Sequence, residues 1–264
     1  MLLLISLSLG CAPKHATSKG SYAWPVGQEL DYEITVSQTG MFSPAGGIDI
    51  GATTYAEFTL SCVAEEKGRR VQLMKCTIPT NITYRISRRD GRIQDFPDQT
   101  YDGDIKLKWV GRQLKSFDAD GLTDTFRATV QNAAGALSTA ELPEPCAIGK
   151  EWSDKTLQNI DRLEFLNGPG SRKNEHKIDS CGESIKLFTT SSNRISAQVA
   201  VGADGSVSQE APRFDFIGHS LSAFDADGLI QSRNFKQELV ASSLNVPPGS
   251  VTQMVTLNRA PLVE

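Results

Sequence analysis

A twelve-residue segment occurs twice in this chain. GRQLKSFDADGL at 111–122 returns as GHSLSAFDADGL at 218–229, with eight identities at an offset of 107 residues. Just upstream, Lys106-Leu107-Lys108-Trp109-Val110 aligns with Arg213-Phe214-Asp215-Phe216-Ile217. Both stretches alternate charged with apolar residues, the period of a half-buried strand. Earlier matches keep the same order: Arg89-Asp90-Gly91-Arg92-Ile93 with Ala203-Asp204-Gly205-Ser206-Val207, Ser61-Cys62 with Ser180-Cys181, and Val26-Gly27-Gln28-Glu29-Leu30 with Ile148-Gly149-Lys150-Glu151-Trp152. The offsets shrink from 122 through 119 and 114 to 107, as small deletions in the second copy would produce. An ordered series of this kind reads as a duplicated module.

Each copy is β-rich. Asp90-Gly91, Asp102-Gly103, Asp120-Gly121, Asp204-Gly205 and Asp227-Gly228 are hairpin signals between alternating runs. After each FDADGL turn the period changes. Phe126, Val130, Ala134 and Leu137 recur at helical spacing, as do Phe235, Leu239 and Ser243-Leu244. The predicted fold class is therefore α+β, predominantly antiparallel β. Two tandem modules, 23–140 and 148–258, each form a curved antiparallel sheet with one short helix, and a Pro-rich linker at 141–147 joins them.

Composition narrows the function classes. With 27 Lys+Arg against 31 Asp+Glu, the net charge of -4 argues against a nucleic-acid binder that relies on bulk electrostatics. The 39% hydrophobic content is enough to bury a core. No apolar stretch is long enough for a membrane-spanning helix.

The N-terminus carries a resemblance. Leu2 to Leu9 form a short apolar run, and Ser8-Leu9-Gly10-Cys11 resembles the lipobox of bacterial lipoproteins, in which cleavage before the Cys leaves it acylated. That resemblance implies a signal peptide at 1–10, lipid attachment at Cys11 and a polar tether at 11–22. With Ala12 after the Cys, it implies the outer membrane, facing the periplasm or the cell surface. The segment Leu142-Pro143-Glu144-Pro145-Cys146-Ala147-Ile148-Gly149-Lys150-Glu151-Trp152 is similar to the junction of secreted bacterial lipoproteins built from two β-rich repeats. Such proteins are weakly similar to the half-barrel of lipoprotein carriers, which implies a half-barrel and transfers no catalytic residue.

Setting Cys11 aside leaves Cys62, Cys76, Cys146 and Cys181, an even set suited to an oxidising compartment. Four cysteines allow three connectivities. A turn at Gly68-Arg69-Arg70 places Cys62 opposite Cys76, which favours Cys62–Cys76 with Cys146–Cys181. There is no CxxC and there are only three His, so neither zinc nor another metal is expected, nor any cofactor. The DADG pair lacks the twelfth-position Glu of a calcium loop. Thr129 and Lys236 stand there instead, so both copies read as tight turns. His15 falls in the tether and His176 in a polar segment read as a loop. His219-Ser220 brushes against a nucleophile elbow without its closing Gly, and no spacing selects a carboxylate pair. Arg85, Arg88, Arg89 and Arg92 crowd one hairpin as a candidate contact for an anionic surface.

The resulting expectation is a membrane-anchored, non-catalytic envelope lipoprotein with a binding or structural role. Its partners are the membrane, through the lipid, and an envelope protein, polysaccharide or lipid, with no nucleic acid. Two alternatives stay open: an envelope hydrolase using carboxylates or His219 and Ser220, and a carrier of a hydrophobic ligand in a half-barrel cavity.

Overall fold

The computed structural model describes residues 24–42, 48–67, 71–110, 113–137, 142, 146–161, 167–196, 213–225, 228–243 and 246–261. The signal, Cys11, the tether, the turns at Gly68-Arg69-Arg70 and Asp204-Gly205 and most of the linker lie outside the described residues.

The first half of the chain supplies β1 (Glu29–Phe42), β2 (Ile48–Lys67), β3 (Val71–Ser87), β4 (Ile93–Asp95), β5 (Gln99–Val110), β6 (Gln113–Ala119) and helix α1 (Asp124–Ala136). The second supplies β7 (Glu151–Asp161), β8 (Asn167–Ser180), β9 (Ile185–Ser196), β10 (Arg213–Phe224), β11 (Ile230–Ser242) and β12 (Thr252–Arg259). The strands form one antiparallel sheet, ordered β6-β5-β3-β2-β1-β12-β11-β10-β9-β8-β7, with β4 beside β3.

The expectation of two separate sheets is thereby corrected. β12 pairs with β1 from Tyr32↔Arg259 to Thr39↔Thr252 and joins the halves through their middle. Ile34 faces Leu257 and Val36 faces Val255, all at most 5% exposed, so the seam is itself core. Left apart, each strand would be an unpaired edge with an apolar face.

The expected second helix is also corrected, because Phe235 and Leu239 lie on β11. A spacing of four fits both one helical turn and one face of a strand, and the hydrogen bonds to β10 and β12 select the strand. Asp102-Gly103 is likewise no turn but lies inside β5. A Cβ at Gly103 would stand 2.5 Å from the Tyr101 hydroxyl, which donates to the carbonyls of Asp104 and Asp120. The glycine accommodates that ring. Gly91 and Gly228 do hold turns, with φ of 79° and 78°, the left-handed conformation that favours glycine.

The repeated segment adopts two structures. Residues 113–119 form β6, one arm of the β5–β6 hairpin, whereas 213–224 run through Gly218 as the single strand β10. After the shared turn the first copy enters α1 and the second β11.

Helix α1 starts after the N-cap Thr123 and buries Phe126, Val130, Ala133, Ala134 and Leu137, none more than 4% exposed. It packs against β6 at one end of the sheet and against β1 and β12 at its middle. The Arg233 guanidinium on β11 donates to the Ala136 carbonyl at the helix C-terminus, where a cation opposes the negative end of the helix dipole. The sheet is rolled. Arg172 on β8 lies 5.8 Å from the Phe235 ring on β11, although their Cα atoms would stand roughly 20 Å apart on a flat sheet.

Both expected disulfides form. Cys62–Cys76 crosslinks paired residues of β2 and β3, and Cys146–Cys181 ties the chain before β7 to the end of β8. With separations of 14 and 35 residues, each adds about 3–4 kcal/mol through the unfolded chain.

Candidate functional site

The inner face of the sheet changes character halfway across. Over β1–β3 it carries Leu30, Tyr32, Ile34, Val36, Phe58, Leu60, Met74, Ile78 and Ile82, all at most 5% exposed. Over β7–β11 the same face carries a polar, half-buried band between buried apolar residues, with Phe214, Phe216, Leu239 and Ile195 toward one end of the strands and Ile178, Leu187 and Phe224 toward the other, all at most 6% exposed. One row of paired residues runs Trp152, His176, Thr189, Ser220, Phe235; the next runs Asp154, Asn174, Ser191, Gly218, Gln237. Arg172 and Asn193 follow as a further pair, and most of these side chains are partly reached by solvent.

Hydrogen bonds fix this face in place. Asp154 accepts from His176 Nε2 at 2.9 Å and from Asn174 Nδ2 at 2.7 Å. The Asn174 carbonyl oxygen accepts from Arg172 Nε at 2.9 Å, and Asn193 Nδ2 donates to Gln237 Oε1 at 2.8 Å. His176 Nδ1 lies 2.9 Å from Thr189 Oγ1. A carboxylate only accepts, so Nε2 carries its proton, and in the neutral ring Nδ1 accepts from the Thr189 hydroxyl. The imidazole also stacks on Trp152, with centroids 5.0 Å apart. The His176 side chain is 11% exposed and that of Asp154 41%.

Below these groups, Ser191 Oγ is buried and has no hydrogen-bond partner among the described residues, an arrangement that costs about 1–3 kcal/mol. It occupies the space left by Gly218, where a Cβ would stand 2.5 Å from it. Toward the helix end, Arg233 donates through Nε to Ser222 Oγ at 2.9 Å. Burial, with the Arg172 guanidinium nearby, pushes Arg233 down to about 9.

The Asp154–His176–Thr189 chain resembles an acid–base relay, but its surroundings do not complete one. β8, β9 and β10 are each paired on both sides, so their backbone N–H groups serve the ladder and do not point at a common oxyanion position. What the arrangement does supply is a fixed array of donors and acceptors between two aromatic rings.

The residues singled out from sequence are placed as follows. Arg85 stacks over Tyr55 at 5.0 Å and faces Asp95 across β3–β4. Arg88 donates to Gln94 at 3.4 Å, and Arg92 pairs with Asp90 at 2.9 Å. Arg89 packs its stem against Gly51 of β2. An open groove of about 830 Å³ at this hairpin is lined by Arg88, Asp90, Arg92, Ile93, Gln94 and Asp95. Two cations and two carboxylates balance there, and Arg85 and Arg89 stand outside it. His219 and Ser220 do not converge. Adjacent strand residues point to opposite faces, so His219 stacks on the exposed Phe188 at 6.1 Å while Ser220 lies on the inner row. Asp225 of the second DADG turn accepts from the Leu229 N–H and pairs with Arg259, both at 2.9 Å, the role of a turn residue.

His176, read from sequence as a loop residue, stands on β8. Arg172, Asn174 and His176 face inward while Lys173, Glu175 and Lys177 face out, so this strand shows no polar–apolar alternation until Ile178. With polar residues on both faces, the sequence carries no period-two signal for this strand before Ile178.

Comparison with known proteins finds no family model that matches the chain and no curated protein that matches it.

Proposed function

We propose that this protein is a non-catalytic, lipid-anchored binding protein of the bacterial cell envelope, with its ligand site on the inner face of β7–β11. One observation carries the site: between buried apolar ends, the inner face of β7–β11 holds an ordered polar band that solvent partly reaches. The polar lining suits a hydrophilic ligand better than a hydrophobic cargo. The lipobox-like Ser8-Leu9-Gly10-Cys11 supports the anchor, two disulfides suit an oxidising compartment, and the tether at 11–22 is long enough to hold the body clear of an outer membrane. The ordered sequence repeat supports descent of both halves from one module, the first filled by its helix and the second left open.

Mass spectrometry of the protein expressed in a bacterium that processes lipoproteins tests the anchor. A diacylglyceryl thioether on an N-terminal Cys11 is expected; a mature chain with an unmodified Cys11 overturns it. A hydrolase built on Asp154, His176 and Thr189 has its hydrogen bonds as support. Turnover of a chromogenic ester or glycoside that His176→Ala abolishes would establish that reading instead.

A further inference from the structure

We infer that the inner face of β7–β11 takes a neutral, polyhydroxylated ligand: a pyranose unit of a glycan. This rests on the reading of that face as the binding site and adds the chemical class.

The sign of charge is the first constraint. The face mixes the Asp154 carboxylate, 41% exposed, with the Arg172 and Arg233 guanidiniums. An anion would meet Asp154 and a cation would meet the two arginines, whereas a neutral polar molecule meets neither penalty. The second constraint is the type of group. Asp154, Asn174, Arg172, Asn193 and Gln237 end in planar forks, held in orientation by the hydrogen bonds between them. A planar fork offers two parallel contacts, which match two neighbouring hydroxyls on a ring. A hydroxyl both donates and accepts, so it can satisfy carboxylate, amide and guanidinium alike. The third is the aromatic pair. Trp152 and Phe235 stand at opposite ends of the His176 row, each partly exposed, and an aromatic face packs against the C–H face of a pyranose.

A peptide is a poorer match. Extended peptides are recognised by adding to a sheet edge, and of these strands only β7 is an edge, whereas Arg172, Asn174, Asn193 and Gln237 stand on interior strands.

Intrinsic fluorescence reads this directly. Trp24 and Trp109 are each 4% exposed, so a ligand on this face alters Trp152. The oxidised, folded protein is titrated separately with maltose, cellobiose, N,N′-diacetylchitobiose, tetra-alanine and inorganic phosphate. At least one disaccharide is expected to change the emission saturably, with Kd below about 10 mM. Asp154→Ala and Asn174→Ala are expected to weaken it at least tenfold without moving the thermal midpoint by more than a few degrees. Ser191→Ala, which removes a buried hydroxyl beneath the face, is expected to leave the affinity for that sugar unchanged and the free protein as stable or more so. Saturable binding of tetra-alanine or phosphate alone, lost in Asp154→Ala or Asn174→Ala, overturns the sugar assignment and leaves the site standing. Silence toward every probe, or sugar binding indifferent to both substitutions, overturns the sugar assignment and the site together.

Discussion

The two halves of this sheet share an order of strands and part of a sequence but solve the problem of their inner faces differently. In the first half, α1 lies on the face and closes it with Phe126, Val130, Ala133, Ala134 and Leu137. In the second, the segment after the shared DADG turn continues as β11, and among the described residues no helix covers β7–β11. Without that cover the middle of this face meets water and is lined by Asp154, Arg172, Asn174, His176 and Asn193, while Phe214, Phe216 and Leu239 stay buried at one end of the strands. The difference teaches that one sheet can hold a structural core and a recognition surface side by side, because β1–β12 pairing makes the first half the support of the second.

The largest effect that separates the halves is a truncated phenylalanine. Phe126→Ala is expected to lower unfolding free energy by about 3–5 kcal/mol, as for a fully buried ring. Phe235→Ala, on the half-buried face, is expected to lower it by less than about 2 kcal/mol. Urea unfolding of both variants checks this, and equal losses would break the comparison.

Arg233→Met sharpens the boundary between the halves. It leaves the Ala136 carbonyl and Ser222 without their donor, for an expected loss of about 1–3 kcal/mol. The same change at Arg172, above Phe235, should weaken ligand binding more than it lowers the thermal midpoint. The reverse ranking would place the structural boundary elsewhere.

The smallest effect is one of pH. Burial raises Tyr32, Tyr84 and Tyr101, all on the packed half, above the ordinary phenol range. Their folded state favours the neutral phenol, so their contribution is complete below about pH 10 and is lost as pH rises beyond it, where the unfolded chain releases its protons first. Unfolding midpoints at pH 9 and pH 11 should differ in that direction, and Tyr32→Phe should flatten the difference. An ultraviolet titration in which every tyrosine ionises at the ordinary value would contradict the sealed face.

Much of this fold was legible in the sequence where side chains alternate sharply. The antiparallel strands, α1 from Phe126, Val130, Ala134 and Leu137, and the pairing of Cys62 with Cys76 across a short turn all follow from local periodicity. Two features were not legible. The β1–β12 seam joins residues more than two hundred positions apart, and no local pattern encodes which edge meets which. The face of β8 was hidden because Arg172, Asn174 and His176 are as polar as the Lys173, Glu175 and Lys177 that point outward. Periodicity reports a face only when one side is apolar. A strand that is polar on both sides reads as a loop, and here that strand holds the centre of the site.

The most direct test of the central contrast is acrylamide quenching of tryptophan emission in the folded, oxidised protein. Trp24 and Trp109 lie in the sealed half at 4% exposure each, and Trp152 lies on the open face. One quenchable and one protected population are expected, with the quenchable one absent in Trp152→Phe. A quenchable population that survives Trp152→Phe, or emission protected throughout, would contradict an open inner face on β7–β11.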